Sequence, residues 1–169
     1  MGNPPTLAVR SCAAHSSRPD VSRPLDVAVI IDRPTHVVWR EVAVIERHVE
    51  WMTDATEIRF LTTQREGVGT RFECDTRIGP LTTTDVMEVT DWEREHRISV
   101  RHKGAVEGAG EFTLTAIGDN RTEFRWCEHL RFPWYFGSRL GASVARPVLG
   151  WVWRRNLRSL KARVEGFDR

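Results

Sequence analysis

HRISVRHKGAVEGAGEFTLTAIGDNRTEFRWCEHLR, residues 96–131, is the stretch on which the fold turns. It contains three runs of strand length, 96–103, 108–117 and 122–131. Gly104 and Gly118-Asp119-Asn120 separate them, residue types that tolerate the positive φ of tight turns. Because successive side chains of a strand point to opposite faces, each run sorts into two sets. Ile98, Val100 and His102, then Phe112, Leu114 and Ala116, then Phe124, Trp126 and Glu128 form one set, and the opposite faces are mostly charged. The pattern predicts an antiparallel meander with one buried face.

Upstream, three more strand-length runs at 55–63, 69–77 and 81–92 extend the meander. Gly67-Val68-Gly69, Gly79-Pro80 and Glu93-Arg94-Glu95 supply the turns. Phe72, Cys74 and Thr76 continue the inward set, whereas 81–92 mixes apolar and acidic residues in both parities, so Asp85, Glu88 and Asp91 receive no role. Still earlier, Val27, Val29 and Ile31 mark a first strand that stops at Asp32-Arg33-Pro34. Pro34 suits the first turn of a helix, and Val38, Val42 and Ile45 recur at helical spacing with Trp39 beside them. A second short helical piece is expected at 46–52. Residues 1–24, rich in Pro, Ser, Ala and Arg and without periodicity, read as a disordered tail ahead of a domain spanning 25–165.

Downstream, from about 138 to 165, the period becomes helical, with Leu140, Val144, Val148, Leu149, Trp153, Leu160 and Val164 on one side. Pro147 removes one backbone donor there, so a kink or break near 145–147 is expected. With six or seven antiparallel strands and a single long helix, the buried sheet face has only that helix to cover it. The expected fold is therefore α+β, a curved antiparallel sheet wrapped on a long C-terminal helix, with two short helices after the first strand. Phe72, Val100, Phe112, Leu114, Phe124 and Trp126 would form the wall of an internal cavity, facing Leu149 and Trp153. Trp51 and Trp134 would close or line it, giving apolar contact area with an N–H handle.

The order of several short texts is also informative. Ile31-Asp32-Arg33-Pro34-Thr35-His36-Val37-Val38-Trp39, His48-Val49-Glu50-Trp51-Met52, Gly67-Val68-Gly69-Thr70-Arg71, Thr122-Glu123-Phe124-Arg125-Trp126 and Ser159-Leu160-Lys161 follow one another around this strand count. In that order they resemble the SRPBCC superfamily, the START, polyketide cyclase/dehydrase and birch-pollen-allergen-like proteins, over roughly 25–165. The resemblance implies a helix-grip fold with a deep hydrophobic pocket. It implies two kinds of function, carriage of lipids or other apolar ligands, and cyclisation or dehydration of polyketide-like substrates. The superfamily has no universal catalytic motif, so no residue role is carried over from it.

Candidate chemistry rests on the residues themselves. Parity places Glu128 inward beyond Phe124 and Trp126, where a carboxylate is costly unless paired or protonated. Such an acid suits enolisation or dehydration. The alternative is that Glu128 reaches solvent or pairs with an arginine at the cavity mouth. His102 continues the Ile98 and Val100 face and is a candidate acid or base, or else a rim residue. If the two face one cavity, they supply acid and base without a metal. Arg71 is a rim residue at most, Trp39 a core residue, and Cys74 a small buried hydrophobe.

The 169 residues carry a net charge of only +2, although 139–169 holds eight Lys/Arg against Glu165 and Asp168. These arginines lack a nucleic-acid docking motif and read as the solvated face of an amphipathic helix. Cys12, Cys74 and Cys127 are widely spaced, with no CxxC or Cys/His ligand spacing, so neither a disulfide framework nor a zinc site is suggested. A reducing cytoplasm is the expected compartment. No apolar run approaches the ~20 residues of a membrane-spanning helix, and no nucleophile elbow, phosphate-cradling loop, zincin or dinucleotide motif is present. The expected partner is an apolar small molecule held by a carrier or sensor, the alternative being a cyclase/dehydratase. Cofactors, metals, nucleic acid and stable membrane insertion are not expected, and a homodimer is allowed.

Overall fold

The computed structural model describes residues 24–104, 107–131 and 139–166, with side chains over 24–104, 107–130 and 147–166. The chain runs through β1 (Leu25–Ile31), α1 (Thr35–Val42), a 3-10 helix (Ile45–Glu50), β2 (Ala55–Phe60), β3 (Arg71–Ile78) and β4 (Leu81–Glu93). β5 (Arg97–Gly104), β6 (Glu107–Ile117), β7 (Arg121–Arg131) and α2 (Arg139–Gly166) complete it. All seven strands join one antiparallel sheet in the order β1-β7-β6-β5-β4-β3-β2. The meander is as expected from the turn signals. β1 joins it through β7, in register from Leu25 opposite Glu128 to Ile31 opposite Thr122.

Local chemistry accounts for the turns and bends. Between β3 and β4 only Gly79 and Pro80 intervene, and Gly79 has φ +61°, the conformation that the first position of a tight two-residue hairpin requires. β4 is long, and its register with β5 shifts between Val89 and Asp91. This bulge exchanges the two parities within one strand, so Asp85, Met87 and Val89 share the inner face with Trp92. A fixed alternation could not resolve that segment for this reason. Pro34 stands just before α1 as its N-cap rather than in the first turn, and the second helical piece is 3-10.

The helix grips the sheet through one stripe. Val152, Trp153, Leu157, Leu160 and Val164 of α2 are buried, at the i, i+3, i+4 spacing of a single helix face. They join Val38, Trp39 and Val42 of α1, Trp51, and the inward residues of the strands in one core. α2 remains helical through Pro147, so of the kink or break anticipated there the break is absent. One missing N–H removes a single rung, and the rest of a 28-residue helix continues around it. Glu41 of α1, buried, bonds Arg163 of α2, which also pairs with Glu50, tying the small helices to the large one. His48 is buried as well, its Nε2 2.8 Å from the Val42 carbonyl oxygen.

Cys74 is a buried free thiol. Cys127 is disulfide-bonded, which the cysteine count did not suggest. No helix among the described residues is long and apolar enough to cross a membrane. The tail expectation for 1–24 falls, apart from Pro24, outside the described residues, as does Trp134.

Candidate functional site

The inner face changes character toward one end of the sheet. Its middle is aromatic: Trp126 stacks on Trp153 with centroids 5.0 Å apart, and meets Phe112 and Trp51 edge-on. Two residues further along β7 is Glu128, buried, with Gly110 of β6 directly opposite. A Cβ at Gly110 would come within 2.8 Å of the Glu128 carboxyl carbon. The glycine therefore clears the space into which the carboxylate folds. Next along β5 is His102, also buried, opposite Gly108.

These groups converge. Trp126 Nε1–H donates to Glu128 Oε1 at 2.8 Å, and the stacked indole is held by its neighbours, so one carboxylate oxygen has a fixed position. The other, Oε2, lies 3.3 Å from His102 Nε2. That approach is close but misaligned, and neither atom has a well-formed hydrogen bond among the described residues. The pair is an ion-pair contact with hydrogen-bonding capacity left over. Burial works against a charged imidazole, but the Glu128 carboxylate and then Asp85 outweigh it and hold the His102 pKa above its ordinary value.

Asp85 repeats the arrangement one strand away. It is buried on β4, directly opposite Gly104, where a Cβ would come within 2.7 Å of its Oδ1. Thr83 Oγ1 donates to its Oδ2 at 3.4 Å. Two inward carboxylates are thus each admitted by a glycine on the neighbouring strand. His102, on the strand between Asp85 and Gly110, feels both charges.

A further polar group lies where the sheet meets α2. Asn156 is fully buried in the helix stripe. Its Oδ1 accepts from Thr53 N at 2.9 Å and Thr53 Oγ1 at 3.0 Å, while its Nδ2 donates to Asp54 Oδ1 at 2.6 Å. Asp54 lines a groove of about 440 Å³ with Thr53, Arg77, Ile78, Pro80 and residues of α2. Burial raises its carboxyl pKa, Asn156 opposes the rise, and the Glu128 charge adds to it.

The structure places each residue singled out in the sequence as follows. Glu128 and His102 meet on the inner face. Trp51, Phe72, Leu114, Phe124, Trp126 and Trp153 are buried in the core, and Val100, Phe112 and Leu149 are half-buried. Arg71 is exposed. Burial pushes the Cys74 thiol up to about 11, which leaves it protonated near neutrality. Asp54 and Asn156 were not singled out, and Asp85 was given no role because its strand mixes both parities. Asn156 had a readable signal, a polar residue inside the apolar stripe between Trp153 and Leu160. Asp54 and Asp85 had none, because only partners distant in sequence define their surroundings. Among the described residues no group of three His, Cys, Asp or Glu is arranged to hold a metal ion.

A family model described as "Polyketide cyclase / dehydrase and lipid transport" matches residues 24–165. The chain belongs to this family. Solved structures share the fold of this family member at low identity. The Zhui aromatase/cyclase from Streptomyces sp. R1128 is 19% identical with a TM-score of 0.68, over 87% of this chain and 96% of that one. A START superfamily protein from Mycobacterium smegmatis is 11% identical with a TM-score of 0.71, over 85% and 97%. A protein from Thermus thermophilus is 18% identical with a TM-score of 0.69, over 85% and 98%. No curated protein sequence matches the chain. The helix-grip architecture of the SRPBCC superfamily is therefore established for this protein.

Proposed function

We propose that this family member binds a hydrophobic, carbonyl-bearing small molecule of polyketide type between the sheet and α2, and transfers a proton on it with the His102–Glu128 pair. One observation supports this above others. A histidine and a glutamate meet at 3.3 Å on the inner face, and neither approaching atom has a well-formed hydrogen bond among the described residues. A buried acid and base held this close can pass protons to and from one ligand carbonyl.

The chemistry follows from the two groups. Glu128 as carboxylate takes a proton from a carbon beside a carbonyl, and the His102 imidazolium gives one to that carbonyl oxygen, forming an enol. Attack of the enol carbon on a second carbonyl of the same chain closes a ring, and loss of water follows. The raised His102 pKa keeps the imidazole charged further toward neutrality. The Trp126 indole fixes the carboxylate in place.

The test is turnover of a poly-β-ketone chain presented as an N-acetylcysteamine thioester, with dehydrated cyclic product read by mass spectrometry. Glu128→Gln and His102→Gln should each lower the rate by about 10²–10⁴. Unchanged rates in both would refute the catalytic role. A carrier or sensor is the second reading, favoured by Trp126 donating to Glu128, because a carboxylate held this way can anchor a ligand hydroxyl without reacting. Native mass spectrometry of the purified protein would then show an unmodified apolar ligand.

A further inference from the structure

Asp54 lies in the turn between the 3-10 helix and β2, and the turn is unusually well fastened. Arg77 N–H donates to the Asp54 carbonyl oxygen at 2.7 Å, pinning the backbone to the end of β3. The Thr53 donors occupy Asn156 Oδ1, so the orientation of that amide is determined, and its N–H must point at Asp54. A fully buried asparagine on the gripping helix thus aims one carboxyl group. The same carboxyl also accepts from its own backbone N–H, and it lines the groove.

The groove beside it is otherwise apolar on the helix side and at the hairpin. Val148, Trp151 and Val152 of α2 face Ile78 and Pro80, with Arg77 at the rim. Val148 and Trp151 are large apolar side chains left exposed. Its volume of about 440 Å³ falls within the range of small-molecule sites, which pair an apolar lining with a few placed polar groups.

We infer that this groove is a binding subsite for an apolar ligand, and that Asp54, aimed by Asn156, is its recognition group, hydrogen-bonding a carbonyl or hydroxyl oxygen of that ligand. This rests on the proposed function, in that the ligand is the same hydrophobic small molecule. It adds a polar contact distinct from the His102–Glu128 pair. Burial raises its pKa, and the carboxyl accepts from a hydroxyl when ionised and donates to a carbonyl when protonated.

The probe is emodin, a tricyclic hydroxyanthraquinone, with anthracene as the oxygen-free comparison. Binding is followed by calorimetry, and the site by the indole N–H resonances of Trp151 and Trp126. Emodin should shift the Trp151 signal, and Asp54→Ala should weaken emodin about tenfold while leaving anthracene unchanged, as expected for one hydrogen bond. Asp54→Asn, which keeps a side chain for Asn156 to meet, should retain most of the affinity, because an amide also donates. Thermal melting confirms that each variant is folded. Emodin affinity within about twofold of wild type in Asp54→Ala, with Trp126 shifted and Trp151 not, overturns this inference and leaves the proposed function standing. Failure of the wild type to bind either probe overturns both.

Discussion

Gly110→Ala isolates the device that admits the buried carboxylate. Gly110 does not have the positive φ that would require glycine, so its role is to leave room. The added methyl would lie 2.8 Å from Glu128 Cδ and 2.9 Å from Oε2, which forces the carboxyl to move. Movement breaks the Trp126 Nε1–H bond at 2.8 Å and opens the 3.3 Å approach to His102. A lost hydrogen bond to a charged group costs ~1.5–3 kcal/mol, and crowding a packed interior costs ~1–3 kcal/mol. Against these, replacing a strand glycine by alanine gains roughly 0.5–1 kcal/mol. The net is a destabilisation of about 1.5–5.5 kcal/mol, or a fall in Tm of roughly 3–22 °C for a chain of this size.

Urea and thermal denaturation measure that cost, and a double-mutant cycle assigns it. In a Glu128→Ala background the carboxylate is gone, so Gly110→Ala should cost little or even stabilise, and the two substitutions should be strongly non-additive. NMR titration of His102 supplies a second readout: with Glu128 displaced, its pKa should fall in the Gly110→Ala protein. The same penalty in both backgrounds, or an unchanged His102 titration, refutes the steric account.

Two histidines should shape the pH dependence of stability in opposite directions. His102, facing Glu128 on β7 and Asp85 on β4, has a raised folded pKa, so its contribution is complete below ~6.5 and is lost as pH rises through the folded value. His48 is held neutral by burial, its pKa lowered to about 4, so stability should fall as pH drops from ~6.5 toward that value. Urea midpoints across pH, with His102→Gln flattening the alkaline limb and His48→Gln the acid limb, check both, and unchanged limbs refute the assignments. Trp126→Phe keeps the ring but deletes the indole donor to Glu128 and should cost ~1.5–3 kcal/mol by denaturation. Asn156→Leu strips Thr53 N and Asp54 Oδ1 of their partner and should cost ~1–3 kcal/mol, with exchange of the Thr53 amide accelerated.

Legibility differed among these residues for physical reasons. Phe124, Trp126 and Glu128 were placed on the inner face by alternation alone, since a regular strand has no other way to present them. The 81–92 segment resisted the same logic because its bulge between Val89 and Asp91 reverses the parity midway. Gly104 was read as a turn and Gly110 carried no reading, and each proves to clear space for a carboxylate on a neighbouring strand. Pro147 suggested a kink or break, and the helix continues through it.

Short-range patterns alone thus determined the strand count, the inward set and the gripping helix, because alternation, turn residues and helical spacing are written within a few consecutive positions. Only the tertiary structure decided that His102 meets Glu128 at 3.3 Å and that Asn156 aims Asp54 into a groove. Those contacts join residues 26 and 102 positions apart, and nothing local in the chain encodes the register and helix placement that bring them together.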